Sequence, residues 1–156
     1  GVFELKGKFA VKSGYEIPPL PSLLNGNVIL GIEISGDLLK EQRRVFTIGD
    51  DDCGLSYFVR DGSLGVRIAD GADVSIIKTA KLEAGKKHNV VIELDGKADI
   101  VRILVDGKMS SSAEDARQSW AYLPPEIDKL KDARLIHFAE GSHNFVNRLG
   151  LHYKND

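Results

Sequence analysis

The stretch Leu55-Ser-Tyr-Phe-Val-Arg-Asp-Gly-Ser-Leu-Gly-Val-Arg-Ile68 decides the fold. Asp-Gly supplies the positive φ angles that a two-residue hairpin loop requires. With Asp61 and Gly62 as that loop, Val59 pairs with Leu64, Tyr57 with Val66 and Leu55 with Ile68, so all six fall on one apolar face. The opposite face carries Arg60 beside Ser63, Phe58 beside Gly65, and Ser56 beside Arg67. Turn chemistry and hydrophobic period agree.

Outward from this hairpin the same signal repeats at Asp70-Gly71, Asp95-Gly96 and Asp106-Gly107. With residues 95–98 as a second loop, Val90, Ile92 and Leu94 face Val101, Ile103 and Val105 on the buried side, and Val91, Glu93 and Arg102 lie outside. Further strands are expected over 3–11, 28–34, 44–48, 74–78, 134–138 and 146–153. Roughly ten short strands predict an all-β, antiparallel β-sandwich of the jelly-roll kind rather than a βαβ fold. Two stretches interrupt the pattern. Ile17-Pro-Pro-Leu-Pro-Ser lacks the donors of a central strand and reads as an ordered loop or an edge cover. Between 110 and 131, Ser111-Ser-Ala-Glu-Asp-Ala favours a polar turn and Pro124-Pro-Glu-Ile-Asp-Lys-Leu starts one short helix.

The totals agree with a single domain over 1–156. A chain of 156 residues can bury roughly 70% of its unfolded surface, so it needs no metal or disulfide to fold. Hydrophobic residues at 42% and charged residues at 28% are ordinary globular values, and a net charge of -2 gives no broad basic field for nucleic acid. No apolar run approaches the length of about 20 that spans a bilayer. The chain begins at Gly1 and its single Met is Met109, which predicts a segment taken from a larger protein with covalently linked neighbouring domains. The single Cys53 allows no internal disulfide, and an extracytoplasmic or secreted setting is the expectation.

From Val45 onward the order of elements resembles the concanavalin A-like lectin/laminin-G group. The resemblance rests on Val45-Phe-Thr-Ile-Gly, the Leu55–Arg67 hairpin, His88-Asn-Val-Val-Ile-Glu-Leu-Asp-Gly, Val101-Arg-Ile-Leu-Val-Asp-Gly-Lys, and the closing pair Leu135-Ile-His-Phe-Ala-Glu-Gly and Phe145-Val-Asn-Arg-Leu-Gly-Leu-His-Tyr. Within the group, Val45 to Ile68 most resembles the sialidase-associated carbohydrate-binding modules, whose members hold a sialic-acid carboxylate with arginines and a glutamate on a concave sheet. The charge order here differs, reading Arg67-Ile-Ala69 after Leu-Gly-Val. The resemblance implies glycan binding, with Arg60 and Arg67 meeting an anionic sugar.

Sugar sites pair flat aromatic surfaces with planar hydrogen-bonding side chains. Phe58 between Arg60 and Arg67 fits that description; the competing reading is a second core layer in which Phe58 packs over Gly65 and the arginines are solvated. Trp120 and Tyr122 are candidates for a rim loop, or else pin that loop to the core. His143 and Asn144 in Gly141-Ser-His-Asn are candidates on another rim loop, or ordinary turn residues. Asp50 and Asp52, in a run of three aspartates, are the candidate ligands for calcium, which takes about six or more oxygens; a solvated acidic turn is the alternative. The four histidines show no metal-ligand spacing.

Glucanases of this architecture carry Glu-x-Asp-x-x-Glu on a strand. Glu126 and Asp128 begin such a pattern but Lys131 stands at its end, and Glu93 and Asp95 are followed by Ala98. The expectation is a non-catalytic carbohydrate-binding module, accessory to a glycoside hydrolase such as a sialidase. A laminin-G-like protein-interaction domain and a hydrolase with an unrecognised site are the alternatives.

Overall fold

The computed structural model describes residues 2–6, 14–109 and 119–154. Strands 1 to 12 are β1 (Val2–Lys6), β2 (Tyr15–Glu16), β3 (Asn27–Ile34), β4 (Arg43–Gly49), β5 (Cys53–Arg60), β6 (Ser63–Asp70), β7 (Val74–Lys78), β8 (His88–Asp95), β9 (Ile100–Val105), β10 (Trp120–Tyr122), β11 (Leu135–Phe138) and β12 (Val146–Lys154). They form two antiparallel six-stranded sheets, one ordered β1-β12-β3-β8-β9-β10 and the other β2-β11-β4-β5-β6-β7. The all-β sandwich read from the sequence is therefore the fold.

Alternation explains the layering. In β3 the side chains of Val28, Leu30, Ile32 and Ile34 are buried and the intervening ones are partly exposed, as period 2 requires of a strand with one face in the core. They meet Leu55, Tyr57, Val59, Leu64, Val66 and Ile68 of the facing sheet in one apolar cluster. Each such side chain fully removed from water contributes about 1.5–3 kcal/mol.

The Asp61-Gly62 hairpin has the expected register, with Val59 opposite Leu64, Tyr57 opposite Val66 and Leu55 opposite Ile68. Asp61 and Gly62 take φ values of 52° and 80°, the left-handed pair that a type I′ turn demands. In the second hairpin Leu94 pairs with Val101 and Ile92 with Ile103, but Asp95 pairs with Ile100. Its loop therefore lies one residue later than 95–98, because Asp99 rather than Asp95 supplies the positive φ, at 59°.

β4 departs from alternation. Arg44 stands opposite Phe58 while Phe46 stands opposite Tyr57, so Val45 is an extra residue in the ladder. Such a bulge re-aims the side chains on one side of it. Phe46 points into the core, and without the bulge Arg44, two residues away, would follow it there.

The proline-rich stretch is an ordered cover. Ile17, Leu20 and Leu23 are buried, Tyr153 donates from its hydroxyl to the Pro18 carbonyl at 3.0 Å, and Ser22 and the Leu23 amide both donate to the Asp128 carboxylate. The short helix is a 3-10 turn over Ile127–Asp132. Residues 7–11 of the strand expected over 3–11, and the polar turn expected over 111–116, lie outside the described residues. No helix among the described residues is long and apolar enough to cross a membrane.

Candidate functional site

The outer face of the β4-β5-β6-β7 sheet hollows into a groove of about 650 Å³. Cross-strand register sets its floor. Arg44, Phe58, Gly65 and Lys78 form one row across the four strands, and Thr47, Ser56, Arg67 and Ile76 form the next. Thr47 and Ser56 are buried and share a hydrogen bond of 3.1 Å between their hydroxyls.

Phe58 owes its position to the glycine opposite. A Cβ placed on Gly65 would lie 2.1 Å from Cζ of Phe58 and 2.3 Å from Cε2, closer than any real contact allows. The ring therefore lies along the sheet over Gly65, half-buried, and lines the groove. The ring packs over Gly65, and it does so in a concave, solvent-facing surface that cationic side chains also line.

Among the described residues five cations line the groove, Arg43, Arg44, Arg60, Arg67 and Lys78, against one carboxylate, Asp61. Asp61 is engaged already, accepting from the Gln42 amide at 2.8 Å while its own N–H donates back to Gln42 at 3.1 Å. Arg44 pairs with the Asp51 carboxylate at 2.7 Å. Arg43 donates to the Glu140 carbonyl and lies 3.9 Å from Glu41, and its Nε is buried without a partner. Arg67 donates to the backbone carbonyl of Asp51 at 2.7 Å, a contact that orients the guanidinium without cancelling its charge. The side chains of Arg60 and Lys78 have neither hydrogen-bond nor ion-pair partner among the described residues. Three cations, Arg60, Arg67 and Lys78, thus face the groove with no carboxylate of their own.

The other sequence candidates are placed elsewhere. Trp120 and Tyr122 sit on an edge strand, β10, not on a rim loop. Their neighbours in register are Arg102 and Ile100 of β9, in the opposite sheet. Both are exposed, at 40% and 66%, and their rings meet edge to face at 5.4 Å, so they do not pin a loop to the core. Asn144 is exposed in the 3-10 turn Ser142–Phe145 and does not line the groove; His143 shares that turn, and its side chain lies outside the described residues. The turn abuts the groove's wall through Ser142, whose hydroxyl donates to the Arg44 carbonyl at 3.1 Å.

Asp50 closes its own loop, accepting from the amides of Asp52 and Cys53 at 2.9 and 2.8 Å. Asp51 points to Arg44 instead. Among the described residues no group of three or more His, Cys, Asp or Glu side chains is placed to hold a metal ion, so Asp50 and Asp52 do not come together with a third acidic or imidazole ligand. The neighbouring Cys53 thiol is pushed up from its ordinary pKa by burial and then by the Asp50 and Asp70 carboxylates, the reverse of what a nucleophile needs.

Sequence reasoning missed Arg43, Arg44, Lys78 and Gln42. The Val45 bulge hides the first two behind a core-like spacing, and the row containing Lys78 depends on a β6-β7 register set by a three-residue loop. It also missed Asp70, which is fully buried and accepts from the amides of Ala72, Asp73 and Glu126. Burial works against its charge, but those three donors outweigh it and hold the pKa below the usual carboxylate range. Asp70 is thereby a staple between the β6-β7 turn and the Pro124–Glu126 segment.

No protein-family model matches the chain, and no curated protein is similar enough to count as a relative. Solved structures do share its fold. The CBM40 module of the Ruminococcus gnavus IT-sialidase superposes with a TM-score of 0.60 at 10% identity, covering 96% of this chain and 91% of that one. The same module bound to alpha2,3 sialyllactose gives 0.59, also at 10% identity, over 96% of this chain and 90% of that one. The botulinum neurotoxin serotype D binding domain gives 0.50 at 15% identity; the match covers 97% of this chain and 37% of that chain. At these identities the likeness is one of architecture: the chain has the β-sandwich fold of these modules.

Proposed function

We propose that this protein is a non-catalytic carbohydrate-binding module that takes an acidic glycan in the groove of the β4-β5-β6-β7 sheet. The single observation that carries the reading is the Phe58 ring laid flat over Gly65 between cations without carboxylate partners. A flat ring covers the C–H face of a sugar, and a guanidinium offers a planar fork to a carboxylate or sulfate. Phe58, Arg60 and Arg67 are the ligand-binding residues of this reading, joined by Arg44 and Lys78. The fold shared with a sialidase module that has been seen with sialyllactose supports glycan as the ligand class, and supports a place beside a glycoside-processing enzyme in a larger, extracellular protein. The groove lining holds one carboxylate, Asp61, so the opposed acid pair of a glycosidase is not part of it.

A glycan array covering neutral and acidic sugars tests this. Binding confined to acidic glycans and lost in Phe58→Ala, with the melting temperature retained, is the expected result; silence across the array overturns it.

A laminin-G-like protein-interaction domain is the second reading. It is favoured by Val74, Ile76, Trp120 and Tyr122, all exposed on the edge strands β7 and β10, which touch where the Ser75 hydroxyl donates to the Tyr122 carbonyl at 2.6 Å.

A further inference from the structure

The cations of the groove are spread, and their spread carries information about the ligand. Arg67 is tethered at one end by its 2.7 Å bond to the Asp51 carbonyl, so it cannot swing toward the far end. Arg60 rises at the other end, beside the Asp61-Gly62 turn and opposite Ser63. Four residue steps along β6 lead from Ser63 to Arg67, which at about 3.4 Å per step places the two arginine backbones about 14 Å apart. Lys78, opposite Gly65, lies on the far side of the Phe58 ring from Arg44. The groove thus has cations at both ends and an aromatic floor between.

A carboxylate is a compact group, and a single one seated at Arg67 leaves Arg60 facing the groove uncompensated. Like charges held in one concavity favour an occupant that neutralises each of them. Resting on the glycan reading above, we infer that the ligand is an oligosaccharide bearing at least two anionic groups on different residues, bound lengthwise from the Asp51 loop to the Asp61-Gly62 turn. One anion meets Arg67, a second meets Arg60 with Lys78, and an intervening ring lies on Phe58. The anions are carboxylates or sulfates; the groove's cations accept either.

The test is isothermal titration of the full chain with five probes: lactose, alpha2,3 sialyllactose, trigalacturonate, a heparin-derived tetrasaccharide and inorganic polyphosphate. The expected result is that trigalacturonate or the heparin tetrasaccharide binds at least about tenfold tighter than sialyllactose, with affinity falling as salt rises. Whichever binds tighter identifies the anion. Arg60→Gln and Arg67→Gln should each reduce the preference severalfold, and Arg60→Gln should do so with unchanged melting, because the Arg60 side chain has no hydrogen-bond or ion-pair partner among the described residues. Phe58→Ala should weaken the oligosaccharides but not polyphosphate. Sialyllactose binding as tightly as the multiply charged probes, with Arg60→Gln silent, overturns the two-anion inference and leaves the acidic-glycan reading standing. Polyphosphate equalling the oligosaccharides, with Phe58→Ala silent, overturns both, as does no binding by any sugar.

Discussion

The two outer faces of the sandwich use the same residue types to opposite ends. On the β3-β8-β9-β10 side, Arg102 lies directly opposite Glu93 and is forked onto it by three contacts of 2.9 to 3.2 Å. The aromatic pair there, Trp120 and Tyr122, pack on each other edge to face. On the β4-β5-β6-β7 side Arg60 stands opposite Ser63 and Arg67 opposite Ser56, and the aromatic Phe58 stands opposite Gly65. Arg102 is neutralised by its cross-strand neighbour; Arg60 and Arg67 have no carboxylate across the ladder. A cross-strand partner therefore says more about role than the residue itself does.

The comparison can be broken from either side. The largest effect is expected for Gly65→Val. A side chain at Gly65 collides with the Phe58 ring, and overpacking of this kind costs about 1–3 kcal/mol; thermal melting should show that loss and titration should show glycan binding abolished. Binding retained in this variant would mean that the flat ring is not needed. Next comes Glu93→Gln on the opposite face. Its carboxylate is 19% exposed and bound to a partly exposed Arg102, so about 1 kcal/mol of stability should be lost, with glycan binding unchanged. Altered binding would show that the two faces are coupled.

A pH series separates the groove from a buried histidine of the far sheet. The His88 imidazole donates to the Asp106 carboxylate at 3.0 Å and to the Glu83 carbonyl at 2.9 Å, two acceptors that only the doubly protonated ring satisfies. Burial works against that charge, but the Glu83 carbonyl and the Asp106 carboxylate outweigh it and hold the pKa above the ordinary histidine value. This contribution to stability is complete below the unfolded pKa of about 6.5 and is lost as pH rises through the folded value. The melting temperature should therefore fall from pH 6 toward pH 8, and His88→Gln should remove that slope. His88 does not line the groove, so glycan affinity should not follow that slope. The smallest effect is expected for Tyr57→Phe. The Tyr57 hydroxyl is buried in the core without a hydrogen-bond partner, and its removal should leave stability unchanged or raise it by about 1 kcal/mol. A marked loss would reveal a partner for that hydroxyl.

What was readable in advance followed from periodicity. Asp61-Gly62 forces a two-residue loop, and period 2 then carries Phe58, Arg60 and Arg67 to one face without any knowledge of the rest of the chain. Arg44 was not readable that way, because its spacing from Phe46 and Ile48 is that of a core residue and the bulge that frees it at Val45 leaves no mark in composition. Trp120 and Tyr122 were read as loop residues since a three-residue strand offers too little alternation to be recognised. In the sequence Asp70 is only the first half of an Asp-Gly turn and Asp128 only part of an incomplete Glu-x-Asp-x-x-Glu pattern. Their roles rest on partners far along the chain, Glu126 for one and Ser22 for the other, and such contacts exist only after the sheets have packed.

The central claim is that an acidic glycan binds in the groove and not at the exposed aromatic pair. Backbone amide shifts recorded during titration with alpha2,3 sialyllactose test it most directly. The account predicts perturbations at Phe58, Gly65, Arg67 and Lys78 and none at Trp120 and Tyr122. Perturbations confined to Trp120 and Tyr122, or none at saturating sugar, would contradict it.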